Sequence, residues 1–387
     1  MIDLQFMPKI LYRRIVNILS LIAFWFLIDC LSVSAEAGSG NSANIYYSEA
    51  SQPEPKLFDE DLPLNLIIEF DFSTVLNDRS DDPDYTGGSL TIVDDDKNKT
   101  LFNIKIRARG NSRRLYGICS FPPLKIDFKK SETVNTIFDG QNKLKLVTHC
   151  SNLSNYEDYM LEEYLIYKTY NLLTDNSFRV RLVKITYKDL KHQFPAENHY
   201  AFLLEDEDDM AARNNSHITD VKILHPDSCN QNAVDLVTLF QYMIGNTDWW
   251  ITTRHNVVIM QPNNQQLPIP IPYDFDYSGC IDAIYAKPSP QLNINSVTEH
   301  YFRGYCRTPE DYKNIIEQFN SKKNEIFGLY ENFDYLGKRK INKMLKFFNA
   351  FYDIINNPDA LKNEIDKTCI TTPNDSNVDN PSGDSRK

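Results

Sequence analysis

The stretch GNTDWWITTRHN at residues 245–256 and the stretch IPYDFDYSG at residues 271–279 carry the clearest structural and chemical signals of this sequence. A helical row of apolar side chains precedes the first stretch, and the glycine that opens it is typical of a helix C-terminus. Asp248 then lies in a loop, and Asn256 opens a predicted strand. A turn and a proline-rich segment lead to Asp274. We expect these three polar side chains to meet where the helix ends and the hairpin returns.

This set of side chains suits phosphoryl transfer. One carboxylate, here Asp248, must orient the attacking hydroxyl and receive its proton, while an amide oxygen and a second carboxylate hold magnesium against the phosphates. Asn256 and Asp274 fit the two metal positions, and Asp276 is the alternative for the carboxylate. His255 contacts phosphate or only orients the loop. The structural alternative for all of these residues is that they cap turns.

Outward from these stretches, the chain divides into a strand-rich first half and a helical second half. Alternating apolar and polar residues predict strands at Leu64–Phe72, Ser89–Val93, Leu101–Arg107, Leu124–Phe128, Lys143–Val147, Arg179–Tyr187 and His199–Leu204. A helix is predicted at Tyr156–Leu173 between the fifth and sixth of them. Residues with helical spacing predict further helices at Asn232–Ile244, Pro309–Tyr330 and Lys338–Asn356. The fold class is therefore α+β.

A second polar cluster lies between two of the predicted strands. Arg109, Asn111 and Arg113 surround Gly110, which permits a tight turn. Guanidinium groups beside such a turn can bind phosphate with two hydrogen bonds each. The alternative is a surface turn with ion pairs.

Composition limits the classes of function. The chain has 387 residues, 42% of them apolar, with a net charge of −12. That is enough apolar material for a sizeable core, and the acidic balance argues against nucleic acid as a partner.

The N-terminus predicts export. Lys9, Arg13 and Arg14 precede an apolar run, Ile15–Leu31, and small residues follow it. This is the pattern of a signal peptide, which we place at residues 1–37, with a retained membrane anchor as the alternative. The predicted location is periplasmic, cell-envelope or secreted, with no membrane contact beyond such an anchor. Residues 38–57 are predicted to be a linker, and 371–387 a disordered tail.

Seven cysteines occur, and Cys30 lies in the predicted signal peptide. Six remain, an even number that suits disulfides in an exported chain, and six cysteines allow 15 pairings. They are Cys119, Cys150, Cys229, Cys280, Cys306 and Cys369. A zinc site has little support, because the sequence has no pair of the form CxxC.

Taken in order, the motifs resemble the CotH-like family of exported atypical kinases, named for a spore coat protein. The resemblance rests on Gly245–Trp249 (GNTDW), Asn256 and Tyr273–Asp276 (YDFD), and upstream on Arg107–Arg113 (RARGNSR) and Pro122–Phe128 (PPLKIDF). It covers roughly residues 60–340.

The resemblance implies a two-lobed protein-kinase-like fold. An N-terminal antiparallel sheet lobe with one long helix would occupy residues 58–206, and a mainly helical lobe residues 207–370. It implies ATP and Mg²⁺ or Mn²⁺ as cofactors. Asp248 would be the catalytic-loop aspartate, while Asn256 and Asp274, or Asp276 instead, would bind the metal.

The resemblance also implies nucleotide contacts from the first half of the chain. Lys125 resembles the strand lysine that contacts phosphate, with Lys143 and Lys145 as competitors. Glu162 or Glu163, on the long helix, would pair with that lysine. Glu205 resembles the family's glutamate near the lobe junction and would meet the nucleotide or a metal. Arg109, beside the Gly110 turn, is a candidate phosphate ligand of the nucleotide on its own chemistry.

The function that follows is an exported ATP- and magnesium-dependent phosphotransferase acting on a hydroxyl of a protein or another envelope component. The alternative is a catalytically inactive kinase-like scaffold of the cell envelope. A third possibility is a secreted hydrolase that uses Asp274 and Asp276 as paired carboxylates.

Overall fold

The computed structural model describes residues 56–114 and 117–370. The predicted signal peptide, all but the end of the predicted linker, and the predicted tail lie outside the described residues. Leu57, the last residue of the predicted linker, is buried in the core of a barrel.

Seven strands close into this barrel in the order β1-β2-β3-β4-β5-β7-β6. Neighbouring strands are antiparallel except for one pair, in which β6 runs parallel to β1 and completes the ring. The strands are β1 (Leu64–Phe70), β2 (Thr86–Val93), β3 (Lys99–Ala108), β4 (Leu124–Phe128), β5 (Lys143–Val147), β6 (Val180–Asp189) and β7 (Glu197–Leu204). Apolar side chains from every strand fill the interior, so the barrel is a packed core.

The closed barrel overturns the predicted fold. The prediction of a two-lobed protein-kinase-like fold with an antiparallel sheet lobe is wrong, because the sheet is mixed and has no free edge. Alternation of apolar residues identifies a strand but not its partner. The parallel contact between β1 and β6, from Leu64 beside Val183 to Phe70 beside Asp189, joins strands that are distant in sequence. The predicted domain limits stay predictions.

The helices are α1 (Phe72–Asn77), α2 (Lys130–Thr133), α3 (Ser154–Leu173), α4 (Glu207–Arg213), α5 (Gln231–Ile244), α6 (Lys313–Glu331), α7 (Lys338–Ile355) and α8 (Pro358–Thr368). The helix α3 connects β5 to β6 and covers the outside of the barrel. Its Tyr164 and Tyr167 rings lie 6.0 and 5.6 Å from the ring of Phe202 on β7. A second apolar core joins this outer face of the barrel to the helices that follow.

A small sheet of three strands stands apart from the barrel. It contains β8 (Ser216–Ile218), β9 (Val257–Pro262) and β10 (Ile269–Pro272), paired antiparallel in the order β10-β9-β8. The hairpin of β9 and β10 is the one expected from the sequence, and β8 is an addition to it.

Two disulfides form among the six cysteines, Cys119–Cys150 and Cys306–Cys369. Cys229 and Cys280 are buried free thiols. Two disulfides point to an oxidising location. Among the described residues, none of the helices combines the length and the apolar character needed to cross a membrane.

We predict that peptide mapping of the unreduced chain finds these two pairs and no other. Replacing both Cys306 and Cys369 by serine should lower the free energy of unfolding by about 4 kcal/mol, because the disulfide restricts a long loop in the unfolded chain. Denaturant titration measures this. A cross-link to Cys229 or Cys280, or an unchanged stability, would contradict the pairing.

Candidate active site

A cleft of about 710 Å³ lies between one face of the barrel, the helix α3 and the hairpin β9–β10. Six carboxylate side chains line it, namely Glu163, Glu207, Asp220, Asp248, Asp274 and Asp276. Four cationic side chains line it as well, namely Arg109, Arg113, Lys145 and Arg254. The lining thus has an excess of negative charge, which favours a bound cation.

Arg113 lies at the centre of the acidic side of the cleft. Its Nη2 is 3.1 Å from Oε2 of Glu163, 2.5 Å from Oδ2 of Asp276 and 3.8 Å from Oδ1 of Asp274. Its Nε also donates a hydrogen bond of 2.9 Å to Asp276. One guanidinium therefore holds three carboxylates that come from α3 and from the segment after β10.

One cation does not neutralise three acids. Burial raises the pKa of Asp276 and of Glu163, although the charge of Arg113 opposes the rise in both. The side chains of Asp276 and Glu163 are only 7% and 2% exposed, whereas that of Asp274 is 48% exposed. Asp274 is thus the carboxylate of this group that faces the open cleft.

Asp248 forms the other half of the site. Its Oδ1 lies 2.8 Å from Nε2 of His255, and its Oδ2 accepts a hydrogen bond of 3.0 Å from the Asn256 amide. The same amide nitrogen donates to the backbone oxygen of Asp248 at 2.7 Å. Since both hydrogen bonds of the Asn256 side chain use its nitrogen, its oxygen Oδ1 is left to accept a metal. The contact with Asp248 raises the pKa of His255.

A tight hairpin brings these three residues together. Gly245 ends α5 in the left-handed conformation, with a φ of 67°. The chain then runs past Asp248 to Trp250, whose backbone N–H and C=O each pair with His255 at 2.9 Å. The Trp-Trp-Ile-Thr-Thr-Arg segment therefore folds back on itself and returns Asn256 to Asp248.

Two of the three residues selected from the sequence have unusual backbone conformations. Asn256 has a φ of 50° and Asp274 a φ of 62°. Asparagine and aspartate tolerate this left-handed region better than most residues, and such conformations cluster at functional sites. The hydroxyl of Tyr167 accepts a hydrogen bond of 2.9 Å from the Asp274 backbone N–H, which holds the turn.

The barrel contributes cations from the opposite wall. Arg109 and Lys145 both line the cleft, and burial lowers the pKa of each. Lys125 lies beside Lys145 on the neighbouring strand but is outside the lining. Lys143, the other competitor, is exposed on β5. Of the three strand lysines, Lys145 is the one at the cleft.

Glu162 points away from the cleft. It is fully buried beside Lys340 of α7, 3.3 Å away, and burial raises its pKa to about 7. Its chain neighbour Glu163 is the helix glutamate that reaches the cleft. The two point in different directions because successive residues of a helix are rotated by about 100°.

Glu205 is committed to a structural role. Its Oε1 accepts a hydrogen bond of 2.8 Å from Nε of Arg213, and its Oε2 accepts from the backbone N–H of Arg179 at 2.9 Å. It is buried and does not line the cleft. The bonds tie the ends of β6 and β7 to α4.

Sequence reasoning missed Tyr167 and Glu207 as residues of the cleft. Tyr167 follows Glu163 by one helical turn, so the i, i+4 spacing on α3 is the signal that identifies it. Glu207 begins α4 and lies 3.8 Å from Lys145. The direct contact of Arg113 with Asp276 was also missed, since no local pattern joins those two segments.

Comparisons with known proteins add little to this geometry. No protein-family model matches the chain, and a search of curated proteins finds no match. Among solved structures, the crystal structure of the Helicobacter pylori proinflammatory kinase CtkA is similar at 10% sequence identity and a TM-score of 0.32. The similarity covers 76% of this chain and 97% of that chain. It is too distant to support a statement about fold or function, and membership of the CotH-like family stays a prediction.

We predict that Arg113→Met lowers the free energy of unfolding by about 3–5 kcal/mol at pH 8, because it leaves buried carboxylates without their cation. The loss should be smaller at pH 5. Without Arg113, the pKa values of Asp276 and Glu163 rise further above those of the unfolded chain, so the folded state binds more protons and gains stability as the pH falls.

Denaturant titrations of the variant at the two pH values measure this difference. Lys362→Met is the control, because Lys362 forms an exposed ion pair with Asp366 on α8, far from the carboxylates of the cleft. It should cost about 1 kcal/mol or less, with little pH dependence. An Arg113→Met loss that is equal at both pH values would contradict the charge balance described above.

Proposed function

We propose that this chain is an exported phosphotransferase that moves the γ-phosphoryl group of ATP, bound with Mg²⁺ or Mn²⁺, to a hydroxyl of a protein or another envelope component. The observation that carries the proposal is the Asp248–Asn256 pair. The Asn256 amide nitrogen binds Asp248, which fixes the carboxylate and leaves the amide oxygen for a metal. The exposed carboxylate of Asp274 supplies a second metal ligand at the same cleft.

The residues present fit a metal and a polyphosphate. Amide and carboxylate oxygens are the ligands that Mg²⁺ prefers. The cleft is lined by more carboxylates than cations, so the negatively charged phosphates require a divalent ion to enter it. Bound there, the metal would neutralise charge on the phosphates. Arg109 and Lys145 line the other wall and suit the phosphate oxygens.

Asp248 is the residue that we assign as the base. Each of its carboxylate oxygens has one partner, His255 or Asn256, and so retains a lone pair for an acceptor hydroxyl. The hydroxyl oxygen bonds to the γ-phosphorus as the bond to the β–γ bridging oxygen breaks, and the hydroxyl proton passes to Asp248. The ion pairs of Asp276 and Glu163 with Arg113 make these two carboxylates unsuitable as the base. Arg113 also orients the segment that carries Asp274.

The alternative is a nucleotide-binding scaffold of the envelope without turnover. The contact of 2.8 Å between His255 and Asp248 favours it, since a protonated His255 would reduce the basicity of Asp248. Such a protein would bind nucleotide and metal through the same residues but transfer no phosphate.

We predict that the purified chain transfers radiolabelled phosphate from ATP to itself or to envelope extracts when Mg²⁺ or Mn²⁺ is present. Asp248→Asn should reduce the rate by about 10²–10⁴-fold, because the base is lost. Asp274→Asn should also reduce the rate and raise the Mg²⁺ concentration needed for half-maximal transfer, because a metal ligand is lost. Asp282→Asn is the control, since Asp282 is a half-exposed partner of Lys343 outside the cleft lining. Nucleotide binding without labelling would select the scaffold, and neither binding nor labelling would refute both.

The two neighbouring strand lysines provide a matched pair. Lys145→Met should reduce the transfer rate by about 10–100-fold, as expected for the loss of one charge-assisted hydrogen bond. Lys125→Met removes the same charge from the next strand and should leave the rate nearly unchanged, because Lys125 is outside the lining. Initial rates of labelling measure both. A larger loss from Lys125→Met would contradict the assignment of Lys145.

A further inference from the structure

Two histidines and a glutamate meet at the barrel, outside the cleft. His149 follows the end of β5, while Glu197 and His199 belong to β7. Glu197 and His199 are two residues apart in the strand and so face the same side. One ring nitrogen of each histidine and a carboxylate oxygen of Glu197 all lie within 4.8 Å of one another. None of the three residues lines the cleft.

The hydrogen bonds of His199 prepare one of its nitrogens as a ligand. Its Nδ1 lies 2.9 Å from Oε2 of Glu157, and that oxygen also accepts the backbone N–H of Tyr200 at 3.1 Å. With the proton on Nδ1, the lone pair is on Nε2, which lies 3.6 Å from Oε2 of Glu197. A histidine oriented by a second carboxylate in this way is the common arrangement in metal sites. Either a second proton on the ring or a bound metal ion makes these two facing acceptors favourable.

His149 has the complementary features. It is fully buried, its Nε2 lies 2.9 Å from Oδ1 of Asn152, and its Nδ1 has no hydrogen-bond partner. With Nε2 donating to the Asn152 oxygen, the lone pair of the neutral ring is on Nδ1, the nitrogen that can act as a ligand. A buried ring nitrogen without a partner requires an explanation.

We propose that His149, Glu197 and His199 form a zinc site, with water completing the coordination. Two imidazoles and one carboxylate form a set that suits Zn²⁺, whereas Mg²⁺ prefers oxygen ligands alone. The site would join the end of β5 to the start of β7, beside the Cys119–Cys150 disulfide. It is independent of the proposed phosphotransfer.

Binding requires a local rearrangement. The two imidazole rings are stacked, with centroids 3.6 Å apart and planes 11° from parallel. Lone pairs in parallel ring planes do not converge on one ion, so the rings must rotate as the three ligand atoms approach to about 2.1 Å from the zinc. The Glu197 side chain is 27% exposed and would supply the third ligand. Its carboxylate accepts hydrogen bonds of 3.4 Å from the Asn152 amide, which the metal would replace.

The test is metal binding by the full chain after treatment with a chelator. We expect one Zn²⁺ per chain from this site, a rise in melting temperature on adding Zn²⁺, and the visible absorption of tetrahedral Co²⁺ when Co²⁺ replaces it. Glu197→Gln keeps the shape of the side chain and should weaken Zn²⁺ binding at least about tenfold. His199→Asn should abolish the Co²⁺ spectrum.

Two controls separate this site from other metal ligands. His217→Asn changes an exposed histidine of β8 that contacts Asn263, and Asp274→Asn removes a ligand of the cleft. Neither should change the Co²⁺ spectrum. The proposal is overturned if the chain binds no Zn²⁺, or if Glu197→Gln binds it as tightly as the natural chain. A loss in Asp274→Asn alone would assign the ion to the cleft instead.

Discussion

The contact of Arg113 with three carboxylates is the interaction on which the candidate site depends. It connects the turn after β3, the helix α3 and the segment after β10, three parts of the chain that are distant in sequence. The pairs are buried on the side of Glu163 and Asp276, where an unpaired charge is costly. Asp274 is partly exposed. Arg113 and Tyr167, which have no direct role in the proposed chemistry, fix its position.

The turns around this contact are specified locally. Gly245 ends α5 with a positive φ, and a Cβ atom at this position would lie 2.6 Å from the Phe347 ring. Asn256 and Asp274 take the same unfavourable region without being glycine. Their side chains and backbones are held by Asp248 and Tyr167. The hairpin contacts offset the cost of these conformations, as is usual where strain is kept at a site.

The sequence predicted the elements better than their arrangement. All seven barrel strands and the long helix were identified, because alternation and helical spacing are local properties. The closure of the barrel through β1 and β6 was not, because a parallel contact between distant strands leaves no local pattern. The short helices α1 and α4 and the strand β8 were also missed, since they are too short to show a period.

The same distinction applies to the site. Asp248, Asn256 and Asp274 were found by their order and do line one cleft. The choice between Lys125 and Lys145, and that between Glu162 and Glu163, depends on which side of the strand or helix faces the cleft. The residues preferred from the sequence, Lys125 and Glu162, do not line it. Glu205 forms an ion pair with Arg213 of the following helix α4. The sequence gives no sign of this pair. Charge alone does not reveal that a carboxylate is already satisfied.

The central claim is that Asp248, Asn256 and Asp274 bind a metal together with a nucleotide. Electron paramagnetic resonance of Mn²⁺ with the full chain tests this directly, with ATP present and absent. We expect a protein-bound Mn²⁺ signal that requires ATP and that disappears in Asp274→Asn. A spectrum of Mn²⁺ and ATP that is the same with and without the protein would contradict the claim.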